Sequence, residues 1–301
     1  MTNRTFEMPD GIYTALVTPF LDNELDKAAW EKLVARQIDA GVAGLVPVGC
    51  TGEAAALSLT EREWMIRTTV EMAAGKCIVV AGSGTNVTAS TIEMTALVKE
   101  WGADVAMLIS PYYNKPQQSG LAAHYRSTAE NVDIPILLYN VPGRTGVNLL
   151  PETVASLDDV PNIVAVKEAC GDLQQIETLI GTCGLKVFSG DDGLNFNIFG
   201  LGARGAISVI SNIIPGPLVE MWTAWEKGDI SKAWWISRQL DAVCKACFVE
   251  SNPVPVKQLL AHANLCGPEP RLPLVTGSKS TLQFLENFYN ETISPILNGD
   301  Q

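Results

Sequence analysis

The sequence predicts a (β/α)8 barrel of the TIM type with a C-terminal helical extension, and three observations carry that reading. Short apolar runs alternate with longer stretches of helical periodicity. The short runs come to eight, and they are continuous Val, Ile, Leu and Ala rather than alternately polar and apolar. Strands buried on both faces read this way, and a parallel sheet covered by helices supplies that burial. Eight βα units then close into a barrel. A doubly wound sheet is the alternative, but Gly82-x-Gly84 lacks the spacing and the acidic partner of a dinucleotide fold.

Taken in order, the first strand is Ile12–Val17, followed by a helix over Lys27–Ala40. The second strand, Gly44–Val48, leads to a helix over Thr60–Ala74, and the third, Cys77–Ala81, to one over Thr88–Trp101. Strand Asp104–Ile109 precedes helix Gln117–Asn131, and strand Pro135–Tyr139 precedes helix Pro151–Leu157. The sixth strand, Ile163–Lys167, is followed by helix Leu173–Thr182. Strands Lys186–Ser189 and Gly205–Ser208 complete the set, with a short helix Leu194–Leu201 between them. Beyond about Asn212 the pattern is helical: Pro217–Lys227, Ile230–Val249, Val254–Ala263 and Ser278–Asn290, with Gly267-Pro268-Glu269-Pro270 marking a joint. The barrel is therefore assigned to residues 1–230 and the extension to residues 231–301.

Composition narrows the function. Of 301 residues 47% are hydrophobic, enough for one large core. Lys and Arg total 21 against 33 Asp and Glu, a net charge of −12 with no basic run, which repels a nucleic-acid backbone. The longest uncharged stretch, Gly205–Val219, holds Ser208, Ser211, Asn212, Pro215 and Pro217 and is shorter than the roughly 20 apolar residues of a spanning helix. Met1–Gly11 contains Glu7 and Asp10 and no apolar signal core. The expectation is a cytoplasmic protein with neither nucleic-acid nor membrane partners.

The seven Cys are scattered and odd in number, so they are read as reduced thiols. Cys244-x-x-Cys247 lies on an apolar helical stripe with Ala233, Ile236, Leu240 and Val243, which assigns both thiols to a buried face. Only His124 and His262 are present, each read as a helix-end or surface residue. With no second Cys-x-x-Cys and no His-Glu-x-x-His, a zinc site is hard to assemble.

Active sites of such barrels lie at the C-terminal ends of the strands. Lys167 closes the run Ile163–Val166 and shares a face with Ile163 and Ala165. On an inward face its amine is desolvated, which favours the neutral nucleophile; on the rim it snorkels to water. Tyr139 ends the neighbouring strand at the same level, where a phenol can pass protons or simply pack. The turn Gly49-Cys50-Thr51-Gly52-Glu53 offers successive N–H groups and a hydroxyl for a carboxylate, although tight glycine turns are common. Arg144, after a Pro-Gly turn, suits a second carboxylate or a surface ion pair. Asp191-Asp192 is read as a helix cap.

These segments, together with Tyr112-Tyr113-Asn114-Lys115-Pro116, Tyr139-Asn140-Val141-Pro142-Gly143-Arg144-Thr145-Gly146, Val166-Lys167-Glu168-Ala169 and Ser189-Gly190-Asp191-Asp192, resemble one family along the whole chain. It is the dihydrodipicolinate synthase and N-acetylneuraminate lyase family of class I aldolases. The resemblance implies a (β/α)8 barrel with a helical extension, assembled as a homotetramer or dimer. It implies that Lys167 forms a Schiff base with pyruvate, that Tyr139 relays protons, that Thr51 with its turn holds the pyruvate carboxylate, and that no metal or organic cofactor is needed. Tyr113 resembles a tyrosine that reaches into a neighbouring subunit, and Gly190 and Ile207 resemble residues lining the pyruvate pocket. Arg144 in its Val-Pro-Gly-Arg-Thr-Gly setting resembles the synthase branch, in which pyruvate condenses with aspartate semialdehyde on the way to lysine and diaminopimelate.

Two departures stand out. The synthase pattern has Thr-Thr where this chain has Cys50-Thr51, and a thiol is a weak hydrogen-bonding group in a proton relay. That implies slower turnover or a different acceptor aldehyde, as in a related pyruvate-dependent aldolase acting on a 2-keto-3-deoxy sugar acid, a sialic acid or 4-hydroxy-2-oxoglutarate. A catalytically silent keto-acid binder is the reading from another class. Feedback-inhibited relatives also line a lysine site from these segments. Asn86 and Tyr112 fit that pattern, but Leu59, Arg62 and Ser90 replace groups expected to bind lysine, which implies weak inhibition or none.

Overall fold

The computed structural model describes residue 4 and residues 6–298. Eight parallel strands form the barrel: β1 Gly11–Ala15, β2 Gly44–Val46, β3 Ile78–Gly82, β4 Val105–Ile109, β5 Ile136–Asn140, β6 Ile163–Glu168, β7 Lys186–Ser189 and β8 Gly205–Ser208. The closed order is β1-β8-β7-β6-β5-β4-β3-β2, so each strand pairs with its neighbours in sequence and β8 returns to β1. The continuous apolar runs are buried along their lengths, as in β5 and β6, where every residue is buried. The predicted fold class is borne out, with strand ends displaced by one or two residues.

The chain divides into two compact units, Met1–Gly11 with Ile78–Ile207, and Ile12–Cys77 with Ser208–Gln301. In the first, β3 to β8 alternate with helices Thr88–Glu100, Gln118–Asn131, Pro151–Ala155, Leu173–Thr182 and Asn195–Gly200. Asp172 caps one of them, its carboxylate accepting from the N–H groups of Gln174 and Gln175. A Cβ at Gly205 would collide with the backbone of Gly11, whose N–H donates to Arg204 O at 3.0 Å. Only glycine allows that approach.

In the second unit, helix Lys27–Asp39 buries Trp30, Leu33 and Val34 on one face. Gln37 on the same face accepts from Thr14 Oγ1 at 2.7 Å and donates to Ser211 O at 3.0 Å. Helix Leu59–Ala73 opens with Ser58 and Glu61 satisfying each other's backbone N–H groups in a capping box. Helices Pro215–Glu226, Ile230–Cys247, Val254–His262 and Lys279–Phe288 follow β8, the last continuing through a π-helical turn Tyr289–Ile293 into Ser294–Asn298. Among the described residues no helix is long and apolar enough to cross a membrane. All seven Cys are free, and Cys244 and Cys247 are buried on their helix as expected.

One expectation is corrected. His124 is neither a cap nor a surface residue. It is buried within helix Gln118–Asn131, its Nδ1 lying 3.0 Å from Thr88 Oγ1. Helix-facing residues around it, Leu121, Tyr125 and Thr128, are buried as well, so the imidazole occupies a core position.

Candidate active site

β5 and β6 run side by side with Tyr139 opposite Lys167 and Asn140 opposite Glu168. Successive side chains on a strand point to opposite faces, so the four residues form two pairs on two faces. The Tyr139–Lys167 pair shares the inner face: both side chains are buried, 6% and 5% exposed, and the Lys167 ammonium position lies 4.3 Å from the centre of the Tyr139 ring. The rim reading of Lys167 is thereby excluded.

The Asn140–Glu168 pair occupies the face toward helix Leu173–Thr182. Asn140 Nδ2 donates to both carboxylate oxygens of Glu168, at 2.9 and 3.1 Å, and the N–H of Cys170 donates to Oε1 at 2.8 Å. Burial pushes the Glu168 carboxyl above its ordinary range, against the pull of these donors. The Cys170 thiol is pushed up to about 12, first by burial and then by the Glu168 charge.

β7 contributes by what it lacks. A Cβ at Gly190 would stand 2.8 Å from Ala169 Cβ and 3.1 Å from both Glu168 O and Lys167 Cε. A glycine here leaves the lysine stem its path. Ile207 is buried on β8. Asp191 caps the turn that follows β7, its carboxylate accepting from the Gly193 N–H at 3.2 Å, as the sequence predicts. Burial and the neighbouring Asp192 raise its carboxyl.

Arg144 and Tyr113 are exposed. Arg144 belongs to a one-turn helix, Pro142–Thr145, directly after β5, and the Tyr113 N–H donates to Thr145 O at 3.3 Å. Tyr113 is 87% exposed, with a left-handed backbone at φ 76°. The structure thus brings together Tyr139, Lys167 and Gly190, and ties the Tyr113 segment to the Arg144 turn.

Cys50 and Thr51 belong to the other unit, in the turn after β2. Cys50 is half-buried; Thr51 is buried, its Oγ1 accepting from Asn252 Nδ2 at 2.9 Å. Gly52 O accepts from Thr18 Oγ1 at 2.6 Å. Glu53, left-handed at φ 52°, accepts from Lys257 Nζ at 2.8 Å and from the Arg271 N–H at 2.9 Å. Sequence reasoning named Asn140 and Glu53 within motifs without giving either a role, and passed over Asn252 and Lys257. Among the described residues no three His, Cys, Asp or Glu side chains converge as a metal-binding set.

The sequence profile of the dihydrodipicolinate synthetase family matches residues 8–291. The chain belongs to that family. The 4-hydroxy-tetrahydrodipicolinate synthase of Thermodesulfovibrio yellowstonii is 46% identical over 277 residues, covering 91% of this chain and 95% of the relative. That of Geotalea uraniireducens is 47% identical over 266 residues, covering 88% and 92%. Among solved structures, dihydrodipicolinate synthase from Thermotoga maritima superposes with a TM-score of 0.93 at 40% identity, covering 95% of this chain and 99% of that one. A monomeric dihydrodipicolinate synthase variant also superposes at 0.93, with 40% identity. The family resemblance read from the motifs is borne out, and dihydrodipicolinate synthetase family membership covers both units of the chain.

Proposed function

We propose that the chain is a 4-hydroxy-tetrahydrodipicolinate synthase, condensing pyruvate with L-aspartate 4-semialdehyde through a Schiff base on Lys167. One observation carries the reading: a buried lysine amine stands against a buried tyrosine ring at the C-terminal ends of adjacent barrel strands. The synthases that resemble this chain over about nine-tenths of its length support the choice of reaction.

The chemistry follows from the pair. In its neutral form the Lys167 amine has a lone pair that attacks C2 of pyruvate. The carbinolamine loses water to give an imine, with Tyr139 passing the protons. Removal of a C3 proton leaves an enamine, whose C3 attacks the aldehyde carbon; the resulting alkoxide takes up a proton, and the acceptor's own amino group attacks C2 of the regenerated imine and expels the Lys167 amine. Thr51 and its turn are assigned the pyruvate carboxylate, and Gly190 and Ile207 the pocket wall. Arg144, exposed on its one-turn helix, is assigned the acceptor's carboxylate, for which its planar fork is suited. Tyr113, so exposed in one chain, is assigned to a neighbouring subunit's site in a homodimer or homotetramer of a cytoplasmic enzyme.

Cys50 favours a second reading, in which the same Lys167 enamine serves a pyruvate-dependent aldolase with another acceptor. Steady-state turnover of pyruvate with aspartate semialdehyde, with Lys167→Ala as the blank, separates them. Activity lost in the variant supports the synthase. No turnover with pyruvate still trapped on Lys167 by borohydride moves the assignment to another acceptor, and no trapping overturns the Schiff base. With Leu59 exposed at the start of its helix and Arg62 donating to Ala54 O, the same assay is expected to show weak inhibition by millimolar lysine or none.

A further inference from the structure

We propose that Asn252 is a positioning residue for pyruvate, acting by fixing the direction in which the Thr51 hydroxyl donates its proton. The inference rests on the Schiff-base reading above. Asn252 Nδ2 donates to Thr51 Oγ1 at 2.9 Å, and both residues are buried. A hydroxyl has one proton and two lone pairs. With a lone pair already engaged by an amide N–H, the Thr51 proton is turned away from Asn252 and toward an acceptor. A carboxylate is a stronger acceptor for a hydroxyl than any neutral group.

The donor is itself held in place. Asn252 lies two residues before helix Val254–His262, and Lys257 on that helix donates from Nζ to Glu53 Oε1 at 2.8 Å and to Glu269 O at 2.7 Å. Asn252 and the helix that follows therefore hold the turn at Thr51 and again at Glu53, while Thr18 holds Gly52 between them. Three successive residues of the turn are tied by buried side chains, so the hydroxyl is aimed before any ligand arrives. Preorganisation of this kind lowers the cost of binding rather than adding a contact.

The test is the pyruvate concentration that half-saturates borohydride trapping on Lys167, which needs no aldehyde acceptor. Asn252→Ala is expected to raise it on the order of tenfold, the loss of about one hydrogen bond to a charged partner. Asn252→Asp keeps the side-chain volume but accepts the Thr51 proton, so it is expected to raise the value at least as far. In a Thr51→Val background, where the hydroxyl is absent, Asn252→Ala is expected to add less than about twofold. Unchanged half-saturation in both Asn252 variants overturns the inference, as does full effect of Asn252→Ala in the Thr51→Val background. An unchanged value in Asn252→Asp alone also overturns it, because it makes Asn252 an acceptor. If the wild type traps no pyruvate, the Schiff-base reading falls and this inference with it; if it traps normally and the variants match it, only the role of Asn252 falls.

Discussion

Tyr139 and Lys167 are register partners on adjacent parallel strands, with the lysine amine 4.3 Å from the centre of the phenol ring. The pairing is a consequence of strand geometry more than of loop conformation. Both residues lie at the ends of fully buried strands, and the next pair in register, Asn140 and Glu168, is locked on the opposite face by three hydrogen bonds. Groups carried on such elements hold their relative position without needing a ligand to assemble them.

Tyr139→Phe keeps the ring beside Lys167 and removes only the phenol. Pyruvate trapping by borohydride is expected to persist, while turnover falls roughly 10²–10⁴-fold, the usual range for a lost proton-transfer group. Wild-type turnover in the variant would remove Tyr139 from the proton relay.

Gly190→Ala places a methyl group 2.8 Å from Ala169 Cβ and 3.1 Å from Lys167 Cε. The neighbouring contact with Glu168 O, also at 3.1 Å, prevents the backbone from yielding freely. Overpacking of this kind costs about 1–3 kcal/mol, and here it also displaces the lysine stem. We expect slower trapping of pyruvate together with a lower unfolding midpoint in denaturant; a variant that traps at the wild-type rate would show that the lysine stem does not need this space.

Lys257 and Glu53 form an ion pair with both side chains out of contact with solvent, the lysine also lying 4.5 Å from the Phe20 ring centre. Lys257→Met leaves Glu53 buried without that cation and is expected to destabilise the chain by about 3–5 kcal/mol. Lys257→Met with Glu53→Leu removes both charges and is expected to recover a large part of the loss. Equal stability of the single and double variants in chemical denaturation would contradict this account.

Much of the barrel was legible because its strands are buried on both faces, and continuous apolar runs such as Ile136–Leu138 and Ile163–Val166 carry that signature without further information. Lys167 and Tyr139 stood out for the same reason: each is a polar residue ending an apolar run. The hairpin Phe20–Leu21 with Glu24–Leu25 was missed, since its strands have two residues each and leave no periodicity to read. Its turn did carry a signal, Asp22-Asn23, and both residues take left-handed backbone conformations. Glu53 and Lys257 lie 204 positions apart, and Thr51 and Asn252 lie 201 apart. No local pattern pairs residues at such separations; only the closed fold does. His124 was misread because a polar residue on an amphipathic helix is read outward unless its partner, here the half-buried Thr88 on another helix, is known.

That buried histidine sets an acid limit on stability. Burial holds the His124 imidazole down at about 4, against an ordinary value of 6.5, and its Nε2 is buried without a hydrogen-bond partner. The unfolded chain therefore binds a proton here that the folded chain refuses between those two values, so stability is complete above about pH 6.5 and declines as the pH falls toward 4. Over that window the loss amounts to about 3 kcal/mol, from 1.36 kcal/mol per pH unit. Glu61, held at about 2 chiefly by its hydrogen bond to Arg271, acts in a lower range: its contribution is present above its ordinary 4.5 and is lost as the pH falls toward 2. His124→Gln has no group to protonate in the upper window, whereas Glu61 is common to both proteins. The stability of wild type minus that of His124→Gln, followed by urea unfolding from pH 7 to pH 4, is therefore expected to fall steadily. A difference independent of pH across that range would show that His124 takes up its proton as readily in the folded chain as in the unfolded one.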